Sequence, residues 1–215
     1  MITKRKLIMI TSMLFFCFLA GAQDGKFAFN VYGGYSPIGK TKIKASFDDV
    51  KLKIDYKTQW GVHLGYDNRQ KNNAFGSYMV VALDFSRGKL DNYVVDGDAD
   101  VFTTTPIPGD NLTDMDFNVL YGLAIPLGER FELPFQIGPG VSYLKGGPIH
   151  NLCFAPAAKV KLKGYITSNI GLYAGVNGRF HLGYKKIEDS SGLLTALHWD
   201  LEVGMVFSLG AAKVN

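Results

Sequence analysis

The sequence predicts an all-β protein, an eight-stranded antiparallel up-and-down β-barrel that spans a membrane, with short turns at one end and longer loops at the other. Segments in which apolar and polar residues alternate occur eight times, and a period of two is typical of a β-strand. The connections between these segments are alternately short and long, as in transmembrane barrels. Beyond the first 22 residues, no stretch has the roughly 18 continuous apolar residues of a membrane helix.

The first element is not part of the barrel. Residues 1–22 combine a basic start at residues 4–6, an apolar core from Leu7 to Leu19 and an Ala-Gly-Ala sequence at residues 20–22. These three features are typical of a cleaved secretory signal peptide. We therefore predict that residues 23–215 form a single outer-membrane β-barrel domain after cleavage.

The composition of the mature chain excludes several classes of function. Of the 23 Lys and Arg residues, three lie in the signal peptide, which leaves 20 basic against 19 acidic residues. A charge this close to neutral indicates no nucleic-acid partner. Cys153 is the only cysteine after residue 22, so the chain can form neither an intrachain disulfide nor a cysteine-based metal site.

The eight strands share one pattern, in which large apolar residues alternate with small, polar or charged ones. Eight apolar faces rich in Phe, Trp, Met and Leu would overfill the narrow interior of an eight-stranded barrel. The opposite faces, rich in Gly, Ala, Ser and Asn, fit that interior. We therefore predict that the apolar faces contact lipid. The predicted strands are residues 26–36, 56–67, 75–87, 114–125, 131–144, 154–163, 170–184 and 197–209.

Short turns are expected at residues 68–74, 127–130 and 164–169, and longer external loops at residues 37–55, 88–113, 145–153 and 185–195. The residues expected to face lipid are Trp60, Val62, Leu64, Val119, Leu123, Ile137, Leu172, Phe180, Leu201 and Val203. Aromatic residues are enriched where a barrel meets the two membrane surfaces. The predicted aromatic girdles contain Tyr35, Tyr56, Tyr66, Phe131, Tyr143, Tyr184, Trp199 and Phe207.

The polar faces should meet inside the barrel as a network of ion pairs that fills the lumen. Its predicted members are Lys57, Gln59, His63, Asp84, Asp116, Glu132, Gln136, Lys159, Lys161, Arg179, His181, His198, Asp200 and Glu202. Approximate strand registers place Arg179 opposite Asp200 or Glu202 and bring Lys57 towards Asp84. Asp84 and Asp116 should face each other, and they would repel unless a cation lies between them.

This pattern resembles the small eight-stranded outer-membrane β-barrels typified by the OmpA transmembrane domain and OmpX, within the porin-like group. The resemblance covers the whole mature chain and rests on strand pattern and strand number. It implies a non-enzymatic protein without cofactors in the bacterial cell outer membrane, acting in membrane integrity or surface interaction. Its implied partners are membrane lipid, lipopolysaccharide and the barrel-insertion machinery. That machinery reads a terminal aromatic residue, whereas this chain continues past Phe207 to residue 215.

Two other classes of function stay open. Some barrels of this size modify lipid A with a Ser or His and a carboxylate, and His150, His181 and His198 are available, with serines at 190 and 191. However, His181 and His198 belong to lumen-facing positions, and no Ser-His-acid set projects towards lipid. The other class is a secreted, lipocalin-like binder, which would be soluble without detergent.

Two segments outside the predicted strands carry further patterns. Asp96, Asp98 and Asp100 have the spacing of a calcium loop, but Val101 and Ile107 replace its glycine and glutamate, so a solvated acidic loop is the favoured interpretation. Alternation also continues through the first long loop and predicts a protruding ribbon. Such a ribbon could pair with another chain or bind lipopolysaccharide phosphates. Its predicted contact residues are Lys42, Ile43, Lys44, Phe47, Lys51, Leu52 and Lys53.

Overall fold

A computed structural model describes residues 27–47, 50–70, 76–96, 109–146, 149–187 and 190–209. The predicted signal peptide, Asp98 and Asp100 of the acidic loop, and the side chains of Phe47 and of the serines at 190 and 191 lie outside the described part of the chain. Within it, no helix is long and apolar enough to cross a lipid bilayer.

The described chain is built from antiparallel strands that close into a barrel. They are β1 (Phe27–Phe47), β2 (Val50–Gln70), β3 (Gly76–Asp96), β4 (Asn111–Pro126), β5 (Phe131–Gly138), β6 (Gly140–Gly146), β7 (Ile149–Phe154), β8 (Ala157–Tyr165), β9 (Ile170–Ile187) and β10 (Ser190–Leu209). β1 pairs with β2 on one side and with β10 on the other, so the sheet has no open edge there.

Prolines interrupt two strands that are otherwise continuous around the barrel. β5 and β6 flank Pro139, and both pair with β4. β7 and β8 flank Pro156, and they pair with β6 and β5 respectively. Proline has no N–H to donate to a strand ladder, so it ends the local pairing without changing the direction of the chain. The ten segments therefore form eight strands around the barrel, which confirms the predicted fold class.

The outer surface of the barrel carries a belt of exposed apolar side chains, which we call the apolar belt. Ile137 is 66 % exposed, Leu64 54 % and Leu172 50 %. All ten residues predicted to face lipid lie on this outer face. Monomeric proteins in water rarely expose so large a contiguous apolar surface. A surface of this kind is suited to contact with lipid.

Register shifts exchange the inner and outer faces of β1, β2 and β3. The pairing of β1 with β10 shifts between Tyr35 and Ile38. The pairing of β2 with β3 shifts between Asp55 and Tyr56 and again between Thr58 and Trp60. An extra residue in one strand of a pair changes which side chains point inwards. Polarity therefore inverts along these strands.

Above the shifts, the barrel continues as a segment that we call the extension, with apolar side chains inside and lysines outside. Its interior is a cluster of buried residues: Ile43, Ala45, Leu52, Ile54, Tyr56, Leu112, Leu144, Ile149, Cys153, Leu194 and Ala196. Its outer face on β1 and β2 exposes Lys42, Lys44, Lys51 and Lys53. On β1 and β2 this polarity is that of a β-barrel in water, opposite to that of the apolar belt, whereas β3 and β10 still expose Val94 and Leu193 at this level.

The extension corrects the predicted ribbon and the predicted long loops. Ile43 and Leu52 are only 1 % and 2 % exposed, so they pack inside the barrel and cannot form an apolar contact surface. β1 and β2 each have a paired strand on both sides, so neither offers a free edge. Much of the sequence assigned to long loops is strand, since β1 runs on to Phe47 and β2 begins at Val50.

The shift before Trp60 also corrects three side-chain orientations. Lys57 and Gln59 are exposed on the outside, so the prediction that they face the lumen is wrong. Tyr56 was predicted in the outer girdle, but it is fully buried inside, where its hydroxyl donates to the carbonyl of Gly109 at 3.1 Å. The other girdle residues lie on the outer face, with Tyr66 only partly exposed.

Candidate functional site

The interior enclosed by the apolar belt is filled with charged and polar side chains. The other twelve residues predicted for the lumen are all buried here: His63, Asp84, Asp116, Glu132, Gln136, Lys159, Lys161, Arg179, His181, His198, Asp200 and Glu202. They point inwards because they occupy alternate positions on strands whose intervening residues face outwards. Charged groups at this depth are stable only when they are paired and hydrogen-bonded.

Arg179 on β9 lies at the centre of the upper part of this interior. Its guanidinium donates to Asp116 on β4 and to Asp200 on β10, the latter at 2.9 Å, and lies 3.9 Å from Asp114. The planar fork of an arginine can bind two carboxylates at once. Arg179 therefore links strands on different sides of the lumen, and its predicted pairing with Asp200 is present.

Asp84 has a different cation from the one predicted. Lys159 Nζ donates to both of its carboxylate oxygens, at 2.8 and 2.7 Å, and His63 Nδ1 lies 2.8 Å from one of them. The predicted approach of Lys57 to Asp84 is wrong, because Lys57 pairs outside the barrel with Asp91 at 2.6 Å. Asp84 and Asp116 are register partners, as expected. Lys159 and Arg179 relieve their repulsion.

A lower layer of the interior contains two further lysines. Lys161 pairs with Glu202 at 3.1 Å and lies 4.5 Å from the ring centres of Tyr32 and Tyr173. Lys163 lies 3.4 Å from Glu132 and 3.5 Å from a second carboxylate, on Asp67. These contacts combine ion pairing with the attraction between an ammonium group and an aromatic face.

Several interior residues are absent from the predicted network, although their spacing along the strands indicates that they face the lumen. Asp114 lies two residues before Asp116, Lys163 two after Lys161, and Asp67 four after His63. Residues at even spacing along a strand share a face. Ser36 and Thr41 were also missed; they lie on opposite sides of the register shift in β1, where no single alternation covers both.

Ser36, His63 and Asp84 have the contact order of a hydrolase triad. Ser36 Oγ lies 2.6 Å from His63 Nε2, and His63 Nδ1 lies 2.8 Å from Asp84. However, Ser36 is fully buried, and its hydroxyl also lies 3.1 Å from Asp200 Oδ1. The one hydroxyl proton has two acceptors in reach, His63 Nε2 and Asp200 Oδ1, so these contacts do not assign His63 the role of a general base.

Comparison with known proteins relates this chain to others by structure alone. No protein-family model matches it, and no curated protein matches it in sequence. The outer membrane protein OprG from Pseudomonas aeruginosa is similar with a TM-score of 0.52 and 10 % identity, covering 86 % of this chain and 97 % of that one. Neisserial surface protein A gives a TM-score of 0.44 with 13 % identity, covering 84 % and 97 % of the two chains.

The likeness to OprG extends over most of both chains. It agrees with the strand count, the closed antiparallel sheet and the apolar belt described above. The chain therefore has the fold of the small eight-stranded outer-membrane β-barrels.

Proposed function

We propose that this chain is a non-catalytic integral protein of the bacterial outer membrane, with a plugged lumen and an extension that acts at the cell surface. The observation that carries this proposal is the inversion of polarity along the barrel. Apolar side chains face outwards around a charged interior, and beyond the register shifts the lysines of β1 and β2 face outwards around an apolar interior. The outward lysines lie where a barrel that continues beyond the bilayer would enter water, because the outer apolar band of such a barrel is limited to the thickness of the membrane.

The contacts of the interior support a plug rather than a channel. Arg179 bridges carboxylates on β4 and β10, and Lys159 is bound to Asp84 through both oxygens. The extension adds an apolar cluster above these charges. The interior of an eight-stranded barrel is only wide enough for packed side chains. A continuous column of water through the barrel would have to displace both the charged network and the apolar cluster.

Burial also argues against the alternative of a lipid-modifying enzyme. Ser36, the serine of the triad-like contacts, is fully buried inside the barrel. An acyl chain in the surrounding membrane would lie on the other side of the strand wall. A nucleophile must come within reach of the bond that it attacks. We therefore assign the Ser36, His63 and Asp84 contacts to the structural network of the plug.

Gel mobility tests the membrane-barrel proposal. The mature chain, extracted in detergent, is expected to migrate faster in SDS before boiling than after it, because a closed sheet with all backbone groups paired resists the detergent. The chain unfolded in urea before loading is the control and should migrate like the boiled sample. Absence of a shift, together with solubility in buffer alone, would instead indicate the lipocalin-like alternative, in which the apolar belt is covered.

We also propose that the outer face of the extension binds the phosphates of lipopolysaccharide. Lys44 and Lys53 are exposed and directly opposite each other on β1 and β2, an arrangement that is unfavourable without an anion. Lys40 and Lys57 are different, because they pair with Asp55 at 2.7 Å and Asp91 at 2.6 Å. The hydrogen bond from Lys57 lowers the pKa of Asp91, which keeps that carboxylate charged.

These two pairs of lysines provide a matched test. The double variant Lys44→Gln/Lys53→Gln is expected to bind lipid A in detergent micelles about 30-fold more weakly, since each lysine near an anionic surface contributes about 1 kcal/mol. The control Lys40→Gln/Lys57→Gln removes the same charge, but from lysines that carboxylates already neutralise. Titration calorimetry at low and high salt measures both. Equal losses in the two variants would reduce the effect to net charge and contradict a specific site.

A further inference from the structure

Among the buried polar atoms of the described residues that have no hydrogen-bond partner, four belong to three side chains that lie close together in the upper part of the lumen. They are Asp114 Oδ2, Asp116 Oδ1 and both ring nitrogens of His181. Asp114, Asp116 and His181 are 1 %, 3 % and 0 % exposed. A buried polar group without a partner loses its hydration without compensation, and each such group calls for an explanation. A histidine with both nitrogens in this state, between two carboxylates, points to a missing ligand.

The three side chains converge with the spacing of metal ligands. Their ligand atoms all lie within 4.8 Å of one another. His181 Nε2 is 3.4 Å from Asp116 Oδ1 and 3.8 Å from Asp114 Oδ2. Nitrogen and oxygen ligands about 2.1 Å from a tetrahedral ion lie about 3.4 Å from each other. An ion between these three atoms therefore requires little movement of the side chains.

The remaining carboxylate oxygens are already held by neighbours, which orients the unpartnered ones. Ser142 donates to Asp114 Oδ1 at 2.8 Å. Arg179 donates to Asp116 Oδ2, the oxygen that is not close to His181. Partners of this kind fix the direction of carboxylate ligands in metal sites. Asp114 Oδ2 and Asp116 Oδ1 accept no hydrogen bond, although Arg179 and His198 Nδ1 lie 3.9 and 3.7 Å from Asp114 Oδ2.

The charges of the upper lumen are consistent with a divalent cation. Four buried carboxylates (Asp84, Asp114, Asp116 and Asp200) face only two cationic side chains there, those of Lys159 and Arg179. When all four carboxylates are ionised and the histidines are neutral, this layer carries two more negative than positive charges. Such an excess is expensive in a dry interior. One dication would neutralise it.

We propose that Asp114, Asp116 and His181 bind a divalent transition-metal ion, for which the mixed carboxylate and imidazole set favours Zn²⁺. Asp114 and Asp116 lie on β4 and His181 on β9, strands that are not neighbours in the barrel. The ion would thus join opposite walls of the lumen, beside the link made by Arg179. Its role would be structural, because the apolar cluster of the extension lies above it.

Metal content tests this site directly. The full chain, purified in detergent and shown to be folded by its unboiled gel mobility, is refolded with Zn²⁺, passed over a chelating resin and assayed for zinc by mass spectrometry. We expect roughly one ion per chain, and a loss of affinity of at least about tenfold in His181→Gln. The matched control is His150→Gln, which removes an exposed histidine outside the barrel and should leave the zinc content unchanged.

A second readout separates loss of the site from loss of the fold. Co²⁺ bound to the wild-type chain should give the intense visible absorption of a tetrahedral ion, and Asp114→Asn should weaken that band even if His181→Gln does not fold. A wild-type chain that retains no zinc, or a His181→Gln chain that folds and retains as much, overturns the proposal. So does an equal loss in His150→Gln, because that result would place the ion on the surface.

Discussion

Replacement of Arg179 by methionine is expected to lower the free energy of unfolding by about 3–5 kcal/mol, the usual effect of removing one partner from a buried ion-pair network. Arg179 is 1 % exposed and touches three aspartates from two other strands. Without the guanidinium, these carboxylates stay buried next to one another. Methionine fills much of the same volume, so the expected loss in the free energy of unfolding would come from the removed charge and not from a cavity.

The measurement is the urea dependence of tryptophan fluorescence for the chain folded into lipid vesicles, which the tryptophans at positions 60 and 199 make possible. Arg87→Met is the matched control, because Arg87 lies on the outer face of β3 and is exposed. Surface substitutions of this kind usually stay within about 0.5 kcal/mol. Similar effects of the two substitutions would show that the central network contributes little to stability.

The direction of side chains in the lower barrel could be predicted from the sequence, because apolar and polar residues alternate there and face the outside and the lumen respectively. Positions such as Asp84, Asp200 and Leu201 follow from counting by two along one strand. The partners of these charges could not be predicted, because they come from strands far away in sequence. Lys159 reaches Asp84 across the lumen, and its position depends on how the whole barrel closes.

The register shifts were the main obstacle to predicting the extension. Pro37 marks the shift in β1, since proline within a strand is typical of bulges. No proline indicates the shift between Thr58 and Trp60 in β2. An apolar face is compatible with all three of Tyr56, Thr58 and Trp60. The alternation of apolar and polar residues therefore shows no interruption at the shift. The orientation of Lys57, Gln59 and Tyr56 was therefore inverted.

The same shifts explain why strands were taken for loops. Above them, the apolar residues point inwards, and the segments no longer continue the lipid-facing pattern of the lower barrel. β6 and β7 contain no shift, but their inner residues also change from polar to apolar, and Leu144 and Ile149 are buried in the extension within a stretch partly assigned to a loop. A prediction that assigns the apolar residues of each strand to one face ends the strand at the point where apolar residues change face.

A pair of identical substitutions on one strand tests where along the barrel the lipid ends. Leu201→Arg is expected to reduce the free energy of unfolding in lipid vesicles by about 2–4 kcal/mol, because it places a charge among the lipid chains. Leu201 is 40 % exposed in the apolar belt, between Ile38 on β1 and Val176 on β9. The introduced arginine would have to displace lipid or bring water into the membrane.

Leu193→Arg is the matched control on the same face of β10. Leu193 is 52 % exposed and lies between Ser46 on β1 and Tyr184 of the girdle on β9, at the level where we expect the membrane surface, so its substitution should cost no more than about 1 kcal/mol. Urea unfolding in vesicles measures both variants against the wild type. Equal losses at the two positions would mean that lipid or another apolar environment surrounds the extension as well. Equal tolerance at both would mean that Leu201 faces water, and that the inverted polarity of the barrel does not mark the membrane surface.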